Sequence, residues 1–274
     1  MGCGDVYIPE IGEVKAGVTE LACQTITWGP QRLSGQYPDV VREVARAGYA
    51  GVETNLGVLR AHMEQISGLR EETGLQFVAA HSGLRDLEPA VRDRDERARL
   101  RADLQAVGAA RLLVSHGRED DRSAYTAIGR TLGELQDAVG DLGVQVLFHN
   151  HQPEIEHGWE ALRRICEAGA ARGVGLAVDF GWVLQGGVDP GGLLDALGEH
   201  VRYAHFKDFR AGDFTELGSG DIGLDRAAAA ARRLHLPWWV AEQDRTSREP
   251  LESARMNLLY LRQRLQEHAE NGRA

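Results

Sequence analysis

The sequence predicts a single α/β domain folded as a (β/α)8 TIM barrel. Eight short apolar runs alternate with eight longer stretches of helical spacing, the pattern of parallel strands joined by crossover helices. Glycine stands where the helices are expected to end, at Ala47-Gly48, Thr73-Gly74, Val107-Gly108, Leu142-Gly143 and Arg172-Gly173, as a C-cap requires. The first run is followed by Thr25-Ile26-Thr27-Trp28-Gly29-Pro30. This is not the glycine-rich phosphate loop of an open, doubly wound sheet.

In chain order, the first run is Glu20–Gln24, and Asp39–Ala47 is the first helix of clear period. Gly51–Glu53 is followed by Val58–Glu72, Leu75–Ala80 by Glu88–Val107, and Arg111–Ser115 by Ser123–Val139. Val144–His149 precedes Gly158–Ala168, Val174–Asp179 precedes Gly191–His200, Val201–Phe206 precedes Asp225–Leu234, and Trp238–Glu242 precedes Glu252–His268. The runs are too short to be helices and rich in Val, Leu and Ala, as fully buried parallel strands are. No linker interrupts them, so residues 18–268 form one domain, with 1–17 as a preceding arm and 269–274 as a frayed tail.

Composition narrows the function. The 274 residues carry a formal net charge of −10, which argues against a nucleic-acid partner, because phosphate binding needs clustered Lys and Arg. No apolar run approaches the roughly 20 residues that span a bilayer. The N-terminus shows no basic region followed by an apolar stretch. Cys3, Cys23 and Cys166 make no paired motif. The expectation is a cytoplasmic protein with reduced thiols and no membrane contact.

A barrel carries its active site at the C-terminal ends of its strands. The first run ends at Gln24, with Trp28 beyond it, and the second at Glu53 and Asn55. The third and fourth end at His81 and His116, the fifth at His149 and His151, and the sixth at Asp179. The seventh ends at His205, Lys207 and Asp208, and the eighth at Glu242 and Gln243. Burying so many carboxylates and imidazoles is costly unless they are paired or hold a cation. Mixed O and N donors suit Mn2+, Fe2+, Co2+ or Zn2+ better than Ca2+. Asp179, His205 and Glu242 each close an apolar run on consecutive strands. The stretch LFHNHQPEIEH (147–157) offers the fourth ligand as Glu154 or Glu156 folding back from the loop, or as His149 or His151.

The segments ACQTITWG (22–29), HNHQPEIE (149–156), VDFGWVLQGGVDP (178–190), AHFKDF (204–209) and AEQDR (241–245) resemble the xylose-isomerase-like barrel superfamily over nearly the whole barrel. Its members include sugar isomerases and epimerases, inosose dehydratases and the endonuclease IV repair enzymes. The opening segment is most similar to inosose dehydratase, and the later segments to the sugar isomerase/epimerase branch. The resemblance implies Glu154, Asp179, His205 and Glu242 as metal ligands, with Glu156 as the alternative to Glu154, and Mn2+ or Co2+ as the ion ahead of Fe2+ and Zn2+. Two departures stand out. Many members place a Glu on strand five, where this chain has His149. Many carry a His three residues after the strand-six Asp, where this chain has Trp182, which together with the acidic charge argues against DNA repair.

The chemistry this implies is removal of a proton next to a ketone to give an enediolate. Loss of the β-hydroxyl then makes a metal-dependent dehydratase of a keto-inositol or keto-sugar. Return of the proton makes an isomerase or epimerase. His151, His149, Glu53 and Lys207 are the acid–base candidates, with pairing to Asp208 as the structural alternative for Lys207. Gln24, Trp28, His81, His116, Trp182 and Gln243 are the expected contacts to a polyol or sugar, with the tryptophans stacking on a ring face or packing at the rim. Barrels of this kind often form homo-oligomers, although no surface stripe identifies a face.

Overall fold

The computed structural model describes residues 18–116 and 122–271. The expected arm, 1–17, lies outside the described residues. Eight parallel strands close into a barrel: β1 (Glu20–Gln24), β2 (Gly51–Asn55), β3 (Gln76–Gly83), β4 (Arg111–Ser115), β5 (Gln145–His149), β6 (Gly175–Asp179), β7 (Val201–Phe206) and, last in the barrel, β10 (Trp238–Ala241). β8 (Asp208–Arg210) and β9 (Asp213–Thr215) form a separate antiparallel hairpin just past β7. Around the barrel the order is β1-β10-β7-β6-β5-β4-β3-β2, which makes the strands carrying His149, Asp179, His205 and Glu242 consecutive neighbours.

Period-two alternation decides what each strand delivers. Val146, Phe148, Leu176, Val178, Ala204, Phe206, Trp239 and Ala241 face outward and join the large core beneath the helices. Ala22, Ala79, Leu113, Leu147, Ala177, Tyr203 and Val240 face inward and form a second, smaller cluster that plugs the barrel. Two residues further along the same strands, the inward positions are Gln24, His81, Ser115, His149, Asp179, His205 and Glu242. A polar ring therefore lies on an apolar plug. A fully buried Val or Leu contributes about 1.5–3 kcal/mol, so the plug is a firm base for groups that are costly to bury.

Two expected helices are each two helices. Val58–Glu72 divides at His62 into Leu56–Ala61 and Met63–Thr73. Glu88–Val107 divides at Asp93, which has extended dihedrals and accepts hydrogen bonds from the backbone of Asp95 and Glu96, capping Arg94–Val107. Apolar spacing survives such breaks because both halves face the same core, which is why the pattern alone reads as one helix. The β8–β9 hairpin and the helix Gly29–Gly35 are additions to the expected elements. The final helix, Pro250–Asn271, reaches into the stretch expected to fray.

Candidate active site

His149, Asp179, His205 and Glu242 each offer one ligand atom to a group lying within 4.8 Å of one another, and all four are buried. Neighbouring strands set their spacing: Asp179 pairs in register with His205, and His149 with Ala177. Asn150 locks β5 to β6 beyond the ladder, accepting from the Asp179 N–H at 3.0 Å and donating to the Asp179 carbonyl at 3.3 Å. Asp179 Oδ1 caps the helix Phe180–Gln185 by accepting from the N–H groups of Gly181 (2.8 Å) and Trp182 (3.2 Å). Its other oxygen, Oδ2, is left for the cluster.

His205 is held at both ring nitrogens. Nε2 lies 2.8 Å from Glu53 Oε2 in a hydrogen bond, while Nδ1 lies 2.6 Å from Glu242 Oε2 without hydrogen-bond alignment. Against burial, Glu53 and Glu242 raise His205 to about 10 without a cation, so its ring is protonated; a cation that took the place of the Nδ1 proton would leave Nε2–H donating to Glu53, the carboxylate–histidine arrangement that orients metal ligands. Asp179 Oδ2, His205 Nδ1, Glu242 Oε2 and both nitrogens of His149 are buried with no hydrogen-bond partner. Unpartnered buried polar atoms are rare, and here four residues that carry them each bring one ligand atom to within 4.8 Å of the others. These residues fit a divalent cation.

Electrostatics agrees. The carboxylates of Glu53, Asp179 and Glu242 are buried, and Asp244 is partly so; against them stands one ammonium, Lys207, itself 1 % exposed. Lys207 Nζ lies 3.3 Å from Asp179 Oδ2, 3.5 Å from Glu242 Oε1 and 3.0 Å from Asp244 Oδ2. Burial lowers its pKa, but Glu242, Asp179 and Asp244 outweigh this and hold it above the ordinary lysine value. Burial also opposes ionisation of Glu242, yet Lys207 and His205 keep its carboxyl well below the ordinary range. Burial pushes Asp179 up, with Lys207 opposing. Burial, reinforced by His205, pushes His149 well down. His151 falls to about 4, chiefly through burial, and so stands neutral at physiological pH.

The strand-five group brought to the cluster is His149, not Glu154 or Glu156. Glu154 Oε2 accepts from the His151 N–H at 2.8 Å in the first turn of Gln152–Ile155, and Glu156 is exposed at the end of that turn. The two-residue strand period carries the inward position from Leu147 to His149, and the glutamates lie beyond the strand on a helix with its own direction.

Burial raises Glu154 from 4.5 to about 7. A carboxyl raised on folding keeps its proton in the folded chain while the unfolded chain loses it. Stability therefore falls as pH rises through that window, and the penalty is complete above it. Glu154→Gln keeps an acceptor for the His151 N–H and removes the penalty. Its melting temperature is expected to match the wild type near pH 4.5 and exceed it at pH 8, by of order 2 kcal/mol in stability, with metal uptake unchanged. Loss of metal from this variant would return Glu154 to the ligand set.

His81 Nδ1 sits 3.4 Å from Glu53 Oε1, and its ring centroid is 4.8 Å from that of His149. His116 and His151 line an open cleft of about 690 Å³ with Ser115, Arg85 and Asp86 beyond the ends of β3 and β4. Trp182 covers Lys207, its ring centroid 5.2 Å from Nζ, and packs against Phe209 and Phe214 of the hairpin. Gly181 permits this: a Cβ there would lie 2.5 Å from the Lys207 carbonyl.

Other expected contacts are engaged elsewhere. Trp28 is buried in the outer core, its indole N–H donating to Glu43 at 2.6 Å, so it does not join the mouth. Gln24 Oε1 accepts from the Ile26 N–H. Gln243 is held by Glu216, Arg245 and Asn257. Lys207 does not pair with Asp208, whose carboxylate instead accepts from the backbone of Phe209, Gly218 and Gly220. Asp244 and Asn150 also touch the centre, through Lys207 and Asp179, and neither is singled out in the sequence. Both lie inside quoted motifs, EQD and HNH, and alternation with their neighbours was the available signal.

Fold and site together define a barrel protein with an acidic, imidazole-rich centre at its mouth. The chain belongs to the xylose isomerase-like TIM barrel family, whose model matches residues 41–264. It is 26% identical over 294 residues to the rhizopine catabolism protein MocC of Rhizobium meliloti, covering 90% of this chain and 89% of that protein. It is 28% identical over 143 residues to an inosose dehydratase of Geobacillus kaustophilus, covering 44% and 46%. Among solved structures it is similar to the D-allulose 3-epimerase of Methylomonas sp. in complex with D-allulose, with a TM-score of 0.72, 16% identity, and coverage of 90% and 97%. Among the described residues, no helix is long and apolar enough to cross a membrane.

Proposed function

We propose that this protein is a metal-dependent dehydratase of a keto-inositol or related keto-sugar. The observation that carries the reading is the convergence of unpartnered buried atoms from His149, Asp179, His205 and Glu242, flanked by two proton-handling groups in opposite states. His149, Asp179, His205 and Glu242 would hold a divalent cation, which when bound would supply Lewis-acid chemistry to a ketone substrate. His151, neutral and at the cleft, accepts the proton next to the ketone. Lys207, protonated, donates to the departing β-hydroxyl, which leaves as water. Glu53 holds the His205 ring, and the apolar wall of Trp182, Phe209 and Phe214 keeps water from the ammonium.

An elimination needs one base and one acid, which is what His151 and Lys207 offer. Epimerisation by exchange on two faces calls for two groups that trade roles, and this pair is poorly matched for that. The similarity to an inosose dehydratase supports the same choice. The free, buried thiols Cys23 and Cys166 suit a reducing, cytoplasmic setting.

The test is incubation of metal-reconstituted protein with 2-keto-myo-inositol in D2O. Rising absorbance from a conjugated enone-type product is the expected result. Deuterium uptake without loss of water would replace dehydration with epimerisation, and neither signal would remove this substrate class.

A further inference from the structure

We propose that His149 sets the metal preference of this centre, turning it toward nitrogen-seeking ions such as Co2+, Zn2+ or Fe2+ and away from Mn2+. The inference rests on reading the cluster as a metal centre and concerns which ion it selects. His149 is fully buried, and neither ring nitrogen has a hydrogen-bond partner. Its ring lies among three other imidazoles, with centroids 4.7 Å from His205, 4.8 Å from His81 and 4.9 Å from His151. Nε2 is 3.9 Å from Glu242 Oε2, a separation that allows one ion to touch both.

The backbone that carries the ring is fixed on both sides. Leu147, two residues earlier, is locked in the barrel plug, Phe148 is fixed in the outer core, and Asn150 bonds both backbone groups of Asp179. The nearest carboxylate of the same segment, Glu154, accepts from the His151 N–H through Oε2 and lies outside the four-residue cluster.

The donor set is therefore two imidazole nitrogens and two carboxylates. Imidazole favours the later first-row ions, whereas Mn2+ is served best by oxygen. A neutral ring in place of a carboxylate also removes one negative charge from a site that already holds Lys207. A hard ion held mainly by charge loses more from that exchange than one bound through nitrogen.

The experiment titrates metal-stripped protein with Co2+ and with Mn2+ against a chromophoric chelator, for the wild type and for His149→Glu. The ratio of Co2+ to Mn2+ affinity is expected to fall roughly tenfold or more in the variant. An unchanged ratio overturns the proposal while leaving the metal centre standing, whereas failure of the wild type to bind either ion removes the centre itself. A second measurement does not depend on how that variant folds. Proton NMR of the Co2+-loaded wild type is expected to show two hyperfine-shifted ring N–H signals, from His149 and His205, with one remaining in His149→Gln. A single signal in the wild type sinks the proposal.

Discussion

Asp179→Asn is expected to lower turnover roughly a thousandfold or more and to leave the fold intact. The two carboxylate oxygens have separate tasks, and the substitution separates them. Oδ1 accepts from the N–H groups of Gly181 and Trp182, which an asparagine carbonyl does equally well, so the helix Phe180–Gln185 keeps its cap. Oδ2, unpartnered by hydrogen bonds and 3.3 Å from Lys207 Nζ, becomes an NH2 group that can neither ligate nor accept. Loss of a ligand is expected to weaken metal binding by more than the 10–100-fold that loss of an outer-shell partner typically costs. Melting of the metal-free variant should match the wild type, because Lys207 retains Glu242 and Asp244 and the site loses one of its crowded negative charges. Metal content after dialysis, steady-state rates and a thermal melt check all three parts. Near-normal turnover would remove Asp179 from the ligand set, and with it the four-residue metal centre.

The barrel was legible because its signal is repeated. Eight apolar runs with glycine-capped helices between them constrain one another, and the closed order β1-β10-β7-β6-β5-β4-β3-β2 leaves each polar strand end facing the same mouth. The same logic brought Asp179, His205 and Glu242 together, since each is the inward residue one period beyond the plug. It also favours His149. The resemblance pointed instead to Glu154, which no strand period governs. Trp28 and Gln243 lie at the correct end of the barrel, yet each is bonded to a group on another segment that was not visible locally, Glu43 for Trp28 and Asn257 for Gln243, while Gln24 caps the turn that follows it by accepting from the Ile26 N–H. Position along a strand can be counted in a sequence; the direction taken by a side chain beyond the strand depends on what the rest of the chain brings to it. Lys207 shows this most clearly, because its partners are 28, 35 and 37 residues away in sequence, while the adjacent Asp208 turns to cap a loop.

Lys207→Met should then do two things that a merely structural lysine would not. Lys207 is 1 % exposed and is the ammonium shared by Asp179, Glu242 and Asp244. Removing one side of a buried ionic group leaves the other uncompensated, at a typical cost of about 3–5 kcal/mol. Methionine has similar length and can pack against Trp182 and Phe214, so the loss is of charge more than of volume. For a chain of this size the metal-free variant should melt about 5–15 °C below the wild type. A bound divalent ion replaces part of the missing positive charge, so saturating Co2+ is expected to raise the variant's melting temperature more than the wild type's. The second effect is chemical. If Lys207 protonates the departing hydroxyl, dehydration of 2-keto-myo-inositol falls by about 100-fold or more. His151 still removes the proton next to the ketone, so solvent deuterium continues to enter that position. Exchange without elimination separates the acid from the base within one variant. Equal loss of both signals would make Lys207 a charge partner alone, and an unchanged melt of the metal-free protein would deny it even that role.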